Sequence, residues 1–181
     1  YPHEKMELPH VPANDLDDIP PPGISGSNSA KTGLAKYPEN QQRMWSGYCA
    51  TVTLMDEQVG RILDELDRLG LTGNTVIVFT SDHGYHLGDH TFWQKANLHE
   101  QVTRVPLIIA APGLPVGRSR SIVQLVDIFP TVCELTGVPI PDSVEGRRLV
   151  PVLRDPKATV HGAAFSYHCS HHALRSAPWP Y

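Results

Sequence analysis

The sequence has few cysteines and no long apolar run. Its three cysteines, Cys49, Cys133 and Cys169, are odd in number, far apart and without a C-x-x-C pair, so they indicate neither a disulfide framework nor a cysteine-based zinc site. The longest uncharged apolar stretch is 105–111, with Pro106 inside it. Because a helix needs roughly 20 apolar residues to cross a bilayer, we expect no membrane span.

The sequence also lacks a strong excess of charge of either sign. Fifteen Lys and Arg against nineteen Asp and Glu give a formal net charge of −4, and 40% of the 181 residues are hydrophobic. This balance argues against a general nucleic-acid binder and against wholesale disorder. An anionic partner would have to meet a local concentration of positive charge, and the length fits one domain of ordinary size.

Proline separates two regions of the chain. Residues 1–40 include Pro20-Pro21-Pro22 and the glycine- and serine-rich run 23–29, so they predict an extended arm or loop without a long helix. No proline occurs from Glu39 to Val105. We assign residues 41–181 to an α/β domain.

Apolar periodicity places helices and strands within that domain. Trp45 to Leu69 carry apolar residues at steps of three and four, which predicts a helix ending at Gly70. The runs 75–80 and 106–110 are short and apolar, as in parallel strands buried on both faces.

Further along the chain, the sequence predicts a helix over 126–136, with Asp127 as its N-cap and Pro130 in its first turn. Another strand is expected at 163–167, and the alternation favours a layered αβα domain with at least some parallel strands. Apolar residues expected in the core are Val102, Val105, Leu107, Ile108, Ile109, Ile122, Val126, Ile128 and Phe129.

Polar chemistry is concentrated directly after the first predicted strand. Asp82 offers a carboxylate oxygen, His83 an imidazole nitrogen, and Gly84 a sharp bend that lets both neighbours reach one cation. Two ligands do not complete a metal shell. Taken alone, Asp82 equally fits a capping residue and His83 a surface histidine.

The residues that follow favour a site. His86, Asp89, His90, Trp93, Lys95 and His99 fall within seventeen positions of Asp82, and Gly84 and Gly88 argue against a regular helix. A bent loop that holds Lys95 near a bound cation would favour a negatively charged ester.

These residues carry a resemblance to a known family. The strings FTSDHGYHLGDHTFWQK (79–95), RVPLII (104–109) and LVDIFPT (125–131) closely resemble the second half of type I sulfatases, the iduronate 2-sulfatases among them. YCATVTLMDEQVGR (48–61) and EGRRLV (145–150) are similar to other parts of these proteins. The resemblance covers residues 40–155 well. It implies an incomplete αβα domain of the alkaline-phosphatase-like, sulfatase type.

The resemblance also implies an activity, namely hydrolysis of a sulfate ester of a sugar or of a glycosaminoglycan-derived substrate. Asp82 and His83 match ligands of a Ca²⁺ ion, for which Mg²⁺ is the alternative, and Lys95 matches a catalytic, sulfate-binding lysine. Tyr85 and His90 are further candidates for contact with the substrate, and His90 also fits a residue that orients the loop. A periplasmic, lysosomal or secreted location follows from the same resemblance.

One departure from the family concerns the nucleophile. Family members use a formylglycine made from the cysteine of a C-x-P-x-R motif, whereas the residues two positions after the three cysteines are Thr51, Leu135 and His171. The sequence therefore contains no candidate nucleophile. We expect the chain to be the carboxyl-side part of a sulfatase domain, inactive without the amino-terminal part.

Histidines near the end of the sequence are open to two interpretations. His168, Cys169, His171 and His172 could bind a soft divalent ion, but a histidine-rich loop after a strand is the favoured interpretation.

Two other functions remain open at this point. A phosphoester hydrolase of the same superfamily is disfavoured by the spacing of Lys95 and by the single Asp-His pair, because two-metal phosphatases need more ligands. A non-catalytic anion- or glycan-binding fragment is favoured only by the absent nucleophile.

Overall fold

The computed structural model describes residues 1–24, 26 and 28–176. The helices are α1 (Ser29–Thr32), α2 (Pro38–Arg68), α3 (Glu100–Thr103), α4 (Ile128–Thr136) and α5 (Val150–Arg154). The strands are β1 (Ile77–Thr80), β2 (His86–Leu87), β3 (Trp93–Gln94), β4 (Leu107–Ala110), β5 (Ala163–His168) and β6 (His171–Ser176). Single 3₁₀ turns occupy His3–Lys5, Pro21–Gly23, Leu34–Lys36, Thr72–Asn74, Asp89–Thr91 and Leu125–Asp127.

The chain divides into two compact units. The first comprises residues 1–69 and 83–104, and the second comprises residues 70–82 and those from 105 onward. The first contains the long helix α2 and the loop with the predicted lysine. The second contains strands β1 and β4 and helices α4 and α5.

The long predicted helix is confirmed as α2, which runs for 31 residues. Pro38 lies at its first turn, where the missing N–H costs no hydrogen bond, and Gly70 follows its end with a φ of 67°. Arg68 pairs with Glu65 at 2.6 Å in the last turn. In the described part of the chain, no residue of α2 is buried, so its apolar face lies open along most of its length.

Strand β1 confirms the first predicted strand, but the expected parallel pairing is wrong for the described strands. β1 and β4 form a two-stranded antiparallel sheet in which Val78 lies opposite Ile109. The one α-helix in the connection between them, residues 81–106, is the four-residue α3, which is much shorter than the crossover helix typical of parallel neighbours. An unbroken apolar run signals burial and does not fix the direction of the neighbouring strand.

The predicted core is correct only in part. Val102 is buried, whereas Ile108, Val126 and Phe129 are more than half exposed. Because a sheet of two strands buries one face at most, alternate residues of β4 such as Ile108 point to solvent. The buried apolar residues are Leu87, Phe92, Trp93 and Val102 in the first unit, and Cys133, Leu149, Val150 and Val152 in the second.

Helix α4 confirms the predicted helix, with Pro130 in its first turn and Gly137 after its end at a φ of 72°. The predicted cap by Asp127 is wrong in one respect, because its side chain makes no capping bond to α4. The fully buried carboxylate instead accepts hydrogen bonds from the backbone N–H groups of Gln124 (2.8 Å) and Arg147 (2.7 Å) and from Nε2 of His161 (2.8 Å). It therefore joins three segments of the second unit.

Strands β5 and β6 form an antiparallel hairpin and confirm the strand expected near 163–167. Cys169 lies in the turn with a φ of 54°.

Among the described residues, no helix combines the length and the apolar character that crossing a membrane requires.

Candidate active-site loop

The predicted site residues of the first unit lie on one loop, residues 83–95, here named the lysine loop. Its two short strands, β2 and β3, pair with His86 opposite Gln94. Between and within them the backbone adopts left-handed φ values at Gly88 (109°), His90 (55°), Thr91 (61°) and Gln94 (69°). Such a backbone is tightly bent, so the loop returns to its starting point within thirteen residues.

The structure brings together two of the predicted residues, His83 and Lys95. The ammonium Nζ of Lys95 lies 2.5 Å from Nε2 of His83. Nδ1 of His83 lies 3.0 Å from the carbonyl oxygen of Gly84, which can only accept, so Nδ1 carries the proton. Nε2 therefore presents its lone pair toward Lys95, as a metal-binding imidazole presents it toward a cation.

Gly84 fixes the position of His83 through a close approach of two backbone segments. Its N–H donates to the carbonyl of Val102 at 2.7 Å, and a Cβ at this position would lie 2.0 Å from the carbonyl oxygen of Gln101. No other residue type fits there without a backbone shift. The bend that the sequence predicts at Gly84 thus has a steric cause.

Asp82 follows β1 and belongs to the second unit by its contacts, although it is bonded to His83. Its Oδ1 lies 3.5 Å from the hydroxyl of Ser81. Among the described residues, no three His, Cys, Asp or Glu side chains are grouped so that they could hold a metal ion. The donor types of Asp82 and His83 fit two ligands of a divalent cation, and a complete shell needs others.

Tyr85 and His90 contact other parts of the first unit. The ring of Tyr85 lies 5.8 Å from that of Tyr48 on α2. His90 Nδ1 lies 2.8 Å from Oδ2 of Asp15, in the proline-rich amino-terminal region. Neither contact involves Lys95.

His86 forms a polar pair with Asn97, a partner that the sequence analysis did not identify. His86 is fully buried, and its Nε2 lies 3.1 Å from Oδ1 of Asn97. Its Nδ1 has no hydrogen-bond partner among the described residues. Burial lowers the pKa of His86. The hydrogen bond with Asn97 opposes this effect in part, and the nearby His99 lowers the pKa further. The crowding of histidines after Asp82 was the available signal, but spacing alone does not identify the buried one.

The histidine-rich tail forms the tip of the β5–β6 hairpin. Cys169 Sγ lies 3.7 Å from Nε2 of His168, and His171 is the cross-strand partner of His168. The ring of His172 lies beside that of Tyr167, with centroids 5.0 Å apart and the ring planes tilted by 42°. The described residues here provide no group of three metal ligands.

Comparison with known proteins agrees with the resemblance to sulfatases. The family model described as Sulfatase matches residues 9–138. The chain is 34% identical over 167 residues to an iduronate 2-sulfatase of Mus musculus, covering 77% of this chain and 30% of that protein.

Two solved structures extend the comparison. A structure described as a complex with its substrate D-glucosamine-2-N,6-O-disulfate has a TM-score of 0.70 and 33% identity, covering 75% of this chain and 30% of that one. A phosphonate monoester hydrolase from Silicibacter pomeroyi has a TM-score of 0.74 and 28% identity, covering 92% and 35%. The chain thus spans about a third of the length of these relatives. The likeness confirms the expected α/β fold of the sulfatase type, present in part.

Proposed function

The chain belongs to the sulfatase family. We propose that the protein hydrolyses a sulfate ester of a sugar, and that its substrates derive from glycosaminoglycans, for example a uronate 2-sulfate. The observation that carries the proposal is the approach of Lys95 Nζ to within 2.5 Å of His83 Nε2. It unites an amine suited to an anion with an imidazole suited to a cation. The glucosamine disulfate bound by one relative supports a sulfated sugar as the substrate class.

Asp82 and His83 are proposed to bind a divalent cation, Ca²⁺ or alternatively Mg²⁺. The carboxylate of Asp82 offers hard oxygen ligands. Because the proton of the neutral His83 ring is on Nδ1, Nε2 has an electron pair that can bind a metal ion. When bound, such an ion would neutralise charge on the sulfate oxygens. Further ligands would have to come from outside the group formed by Asp82 and His83.

Lys95 is proposed to bind the sulfate group through its ammonium. As the ester bond breaks, negative charge grows on the bridging and terminal oxygens, so a fixed ammonium stabilises the transition state more than the ground state. The adjacent Gln94 has a left-handed φ of 69°, and from this bent backbone the Lys95 side chain extends toward His83. Tyr85 and His90 remain candidates for substrate contact.

The nucleophile is proposed to lie outside this chain, because none of its three cysteines stands in a C-x-P-x-R motif. The amino-terminal part of the sulfatase domain would supply it. We therefore expect the 181 residues alone to be inactive and the full-length protein to be active.

The role of Lys95 can be tested in the full-length protein. We expect Lys95→Ala to lower kcat on a sulfated monosaccharide by about 100-fold or more, the scale seen when one charge-stabilising donor is removed. Lys36→Ala, at an exposed lysine of the same unit, is the matched control and should keep the wild-type rate. Equal rates for Lys95→Ala and wild type would refute the proposed role.

The metal ligands can be tested by metal content. Asp82→Asn removes the charge of the carboxylate but keeps its size, so the purified full-length variant should retain less Ca²⁺ by elemental analysis. Asp56→Asn, on the exposed surface of α2, should retain as much as wild type. If Asp82→Asn also retains the wild-type amount, Asp82 is not a ligand.

A phosphonate or phosphate ester is the second candidate substrate, because the chain is also similar to a phosphonate monoester hydrolase. Comparing kcat/KM for matched aryl sulfate, phosphate and phosphonate esters separates the two functions. We expect the sulfate ester to be preferred.

A periplasmic, lysosomal or secreted location is proposed with the sulfated-sugar substrate. Fractionation of cells that make the full-length protein tests it, and activity confined to the cytosol would contradict it.

A further inference from the structure

The proline-rich segment 9–24, here named the proline arm, contacts the lysine loop at several places within the first unit. Oδ2 of Asp15 lies 2.8 Å from Nδ1 of His90. Pro9 lies against Gly88, where an added Cβ would be 3.4 Å from the proline Cδ. Next to the loop, the carbonyl oxygen of Gly23 lies 2.9 Å from Nε2 of His99. The arm therefore follows the loop along its outer turn.

The part of the lysine loop under the arm has an unfavourable backbone. His90, Thr91 and Gln94 all have positive φ, and none of them is glycine. A non-glycine residue is strained in such a conformation, so it persists only where surrounding contacts hold it. Gln94 directly precedes Lys95, so relaxation of this backbone would redirect the lysine side chain.

Asp15 makes the side-chain contact to the centre of this strained stretch. It is 20% exposed and His90 is 34% exposed, so the hydrogen bond between them is partly shielded from water. The backbone N–H of Asp15 donates to the carbonyl of Pro12, which fixes the turn that presents the carboxylate. Prolines on either side limit the freedom of the arm, which lowers the entropy lost in holding this contact.

We propose that Asp15, acting through His90, is a positioning residue that holds the lysine loop in the conformation aiming Lys95 at the His83 imidazole. The catalytic consequence rests on the proposed role of Lys95, whereas the conformational consequence does not. The proline arm is then a functional part of the site and not a passive connector.

The test uses two readouts on the full-length protein. Mass spectrometry measures how fast an amine-acylating reagent modifies Lys95, with the exposed Lys36 as internal reference, and steady-state kinetics on a sulfated monosaccharide gives kcat and KM. Asp15→Ala removes the acceptor, whereas Asp15→Asn keeps an acceptor oxygen for His90. Asp18→Ala removes an exposed carboxylate of the same arm and is the matched control.

We expect Asp15→Ala to accelerate acylation of Lys95 relative to Lys36 and to lower kcat about tenfold with a smaller change in KM, because misplacement by about 1 Å can cost up to ~100-fold. Asp15→Asn and Asp18→Ala should behave as wild type. In a His90→Gly background, which carries the left-handed φ without strain, Asp15→Ala should add no further effect. Asp15→Glu moves the carboxylate by one methylene, so it should change Lys95 acylation and kcat in the same directions as Asp15→Ala. It replaces Asp15→Ala in the experiment if the alanine variant does not fold.

Wild-type acylation of Lys95 and wild-type kcat in both Asp15→Ala and Asp15→Glu would overturn the inference, as would an equal effect of Asp15→Ala in the His90→Gly background. Altered acylation with unchanged kcat would overturn the positioning role in catalysis. If the wild-type protein hydrolyses no sulfate ester but Asp15→Ala still alters Lys95 acylation and Asp15→Asn does not, the conformational inference is supported and the proposed function fails.

Discussion

His86 makes the stability of the protein depend on pH. Burial lowers its pKa in the folded protein below 6.5, its value when solvated, so the unfolded chain takes up a proton more readily than the folded one. The contribution of the neutral, buried His86 to the free energy of unfolding is therefore fully present above about pH 6.5. It is lost as the pH falls from there toward the lowered pKa of the folded state. We expect the urea midpoint of the purified protein to fall between pH 8 and pH 5.5.

A comparison of two variants assigns this effect. His86→Gln cannot take up the proton, so its urea midpoint should depend less on pH than that of wild type. His10→Gln, at an exposed histidine of the same unit, should keep the wild-type pH dependence. A pH dependence unchanged in His86→Gln would assign the effect to other groups.

Gly84 is the residue at which a single methyl group should disturb the site most. A Cβ there would lie 2.0 Å from the carbonyl oxygen of Gln101, and backbone atoms cannot move aside as a flexible side chain can. We expect Gly84→Ala to lower the free energy of unfolding by about 1–3 kcal/mol, the usual cost of overpacking. In Gly73→Ala the new Cβ meets nothing within 4 Å, so denaturant unfolding should show little change.

At the scale of single residues, part of the candidate site could be predicted from the sequence. The glycine-bent loop and the resemblance to sulfatases pointed to His83 and Lys95, and the structure places Nε2 of the one 2.5 Å from Nζ of the other. Their roles in binding a cation and a sulfate stay predictions. The contact between Asp15 and His90 joins residues 75 positions apart in the chain. No local pattern reports such a contact, because hydrogen-bond partners this distant are chosen by the tertiary fold.

Among the structural elements, the start of α4 depends on a buried carboxylate. Asp127 accepts hydrogen bonds from Gln124, Arg147 and His161, and Thr131 links the same helix to the backbone of Leu149 at 2.8 Å. Removing the carboxylate leaves two backbone donors without this partner, and each such loss costs about 1–3 kcal/mol. Asp127→Ala should therefore lower the free energy of unfolding by roughly 3 kcal/mol.

Thermal or urea unfolding of Asp142→Ala provides the comparison. Asp142 is an exposed carboxylate of the same unit, so its removal should change stability by less than about 0.5 kcal/mol. Equal stability of the two variants would show that the carboxylate of Asp127 is not a structural link.

Elements were easier to predict than their arrangement. The three- and four-residue apolar periodicity located α2, and proline and glycine marked the limits of α4. The antiparallel direction of β1 and β4 could not be predicted from apolar runs, which look the same in either direction. The role of Asp127 was missed for a related reason, since its position before a helix fits a cap and its real partners lie up to 34 residues away.

For the molecule as a whole, the chief feature is the apolar surface of α2. Val52 is 44% exposed, Met55 40%, Ile62 62% and Leu69 51%, which is unusual for residues spaced along one helical face. Soluble proteins rarely expose large contiguous apolar patches without a binding partner or a covering segment. The chain also spans only about a third of the length of its relatives.

This exposure predicts how the 181-residue chain behaves when it is produced by itself. We expect it to bind the dye ANS through the face of α2, and Ile62→Lys to weaken that binding while the helical circular dichroism stays unchanged, since an exposed side chain contributes little packing. Glu57→Gln changes the net charge by the same single unit on the same helix without removing apolar surface, so it should bind the dye as the unaltered chain does. If Ile62→Lys instead loses helical signal, the face of α2 is packed in solution, and the apolar surface must be assigned to another part of the chain.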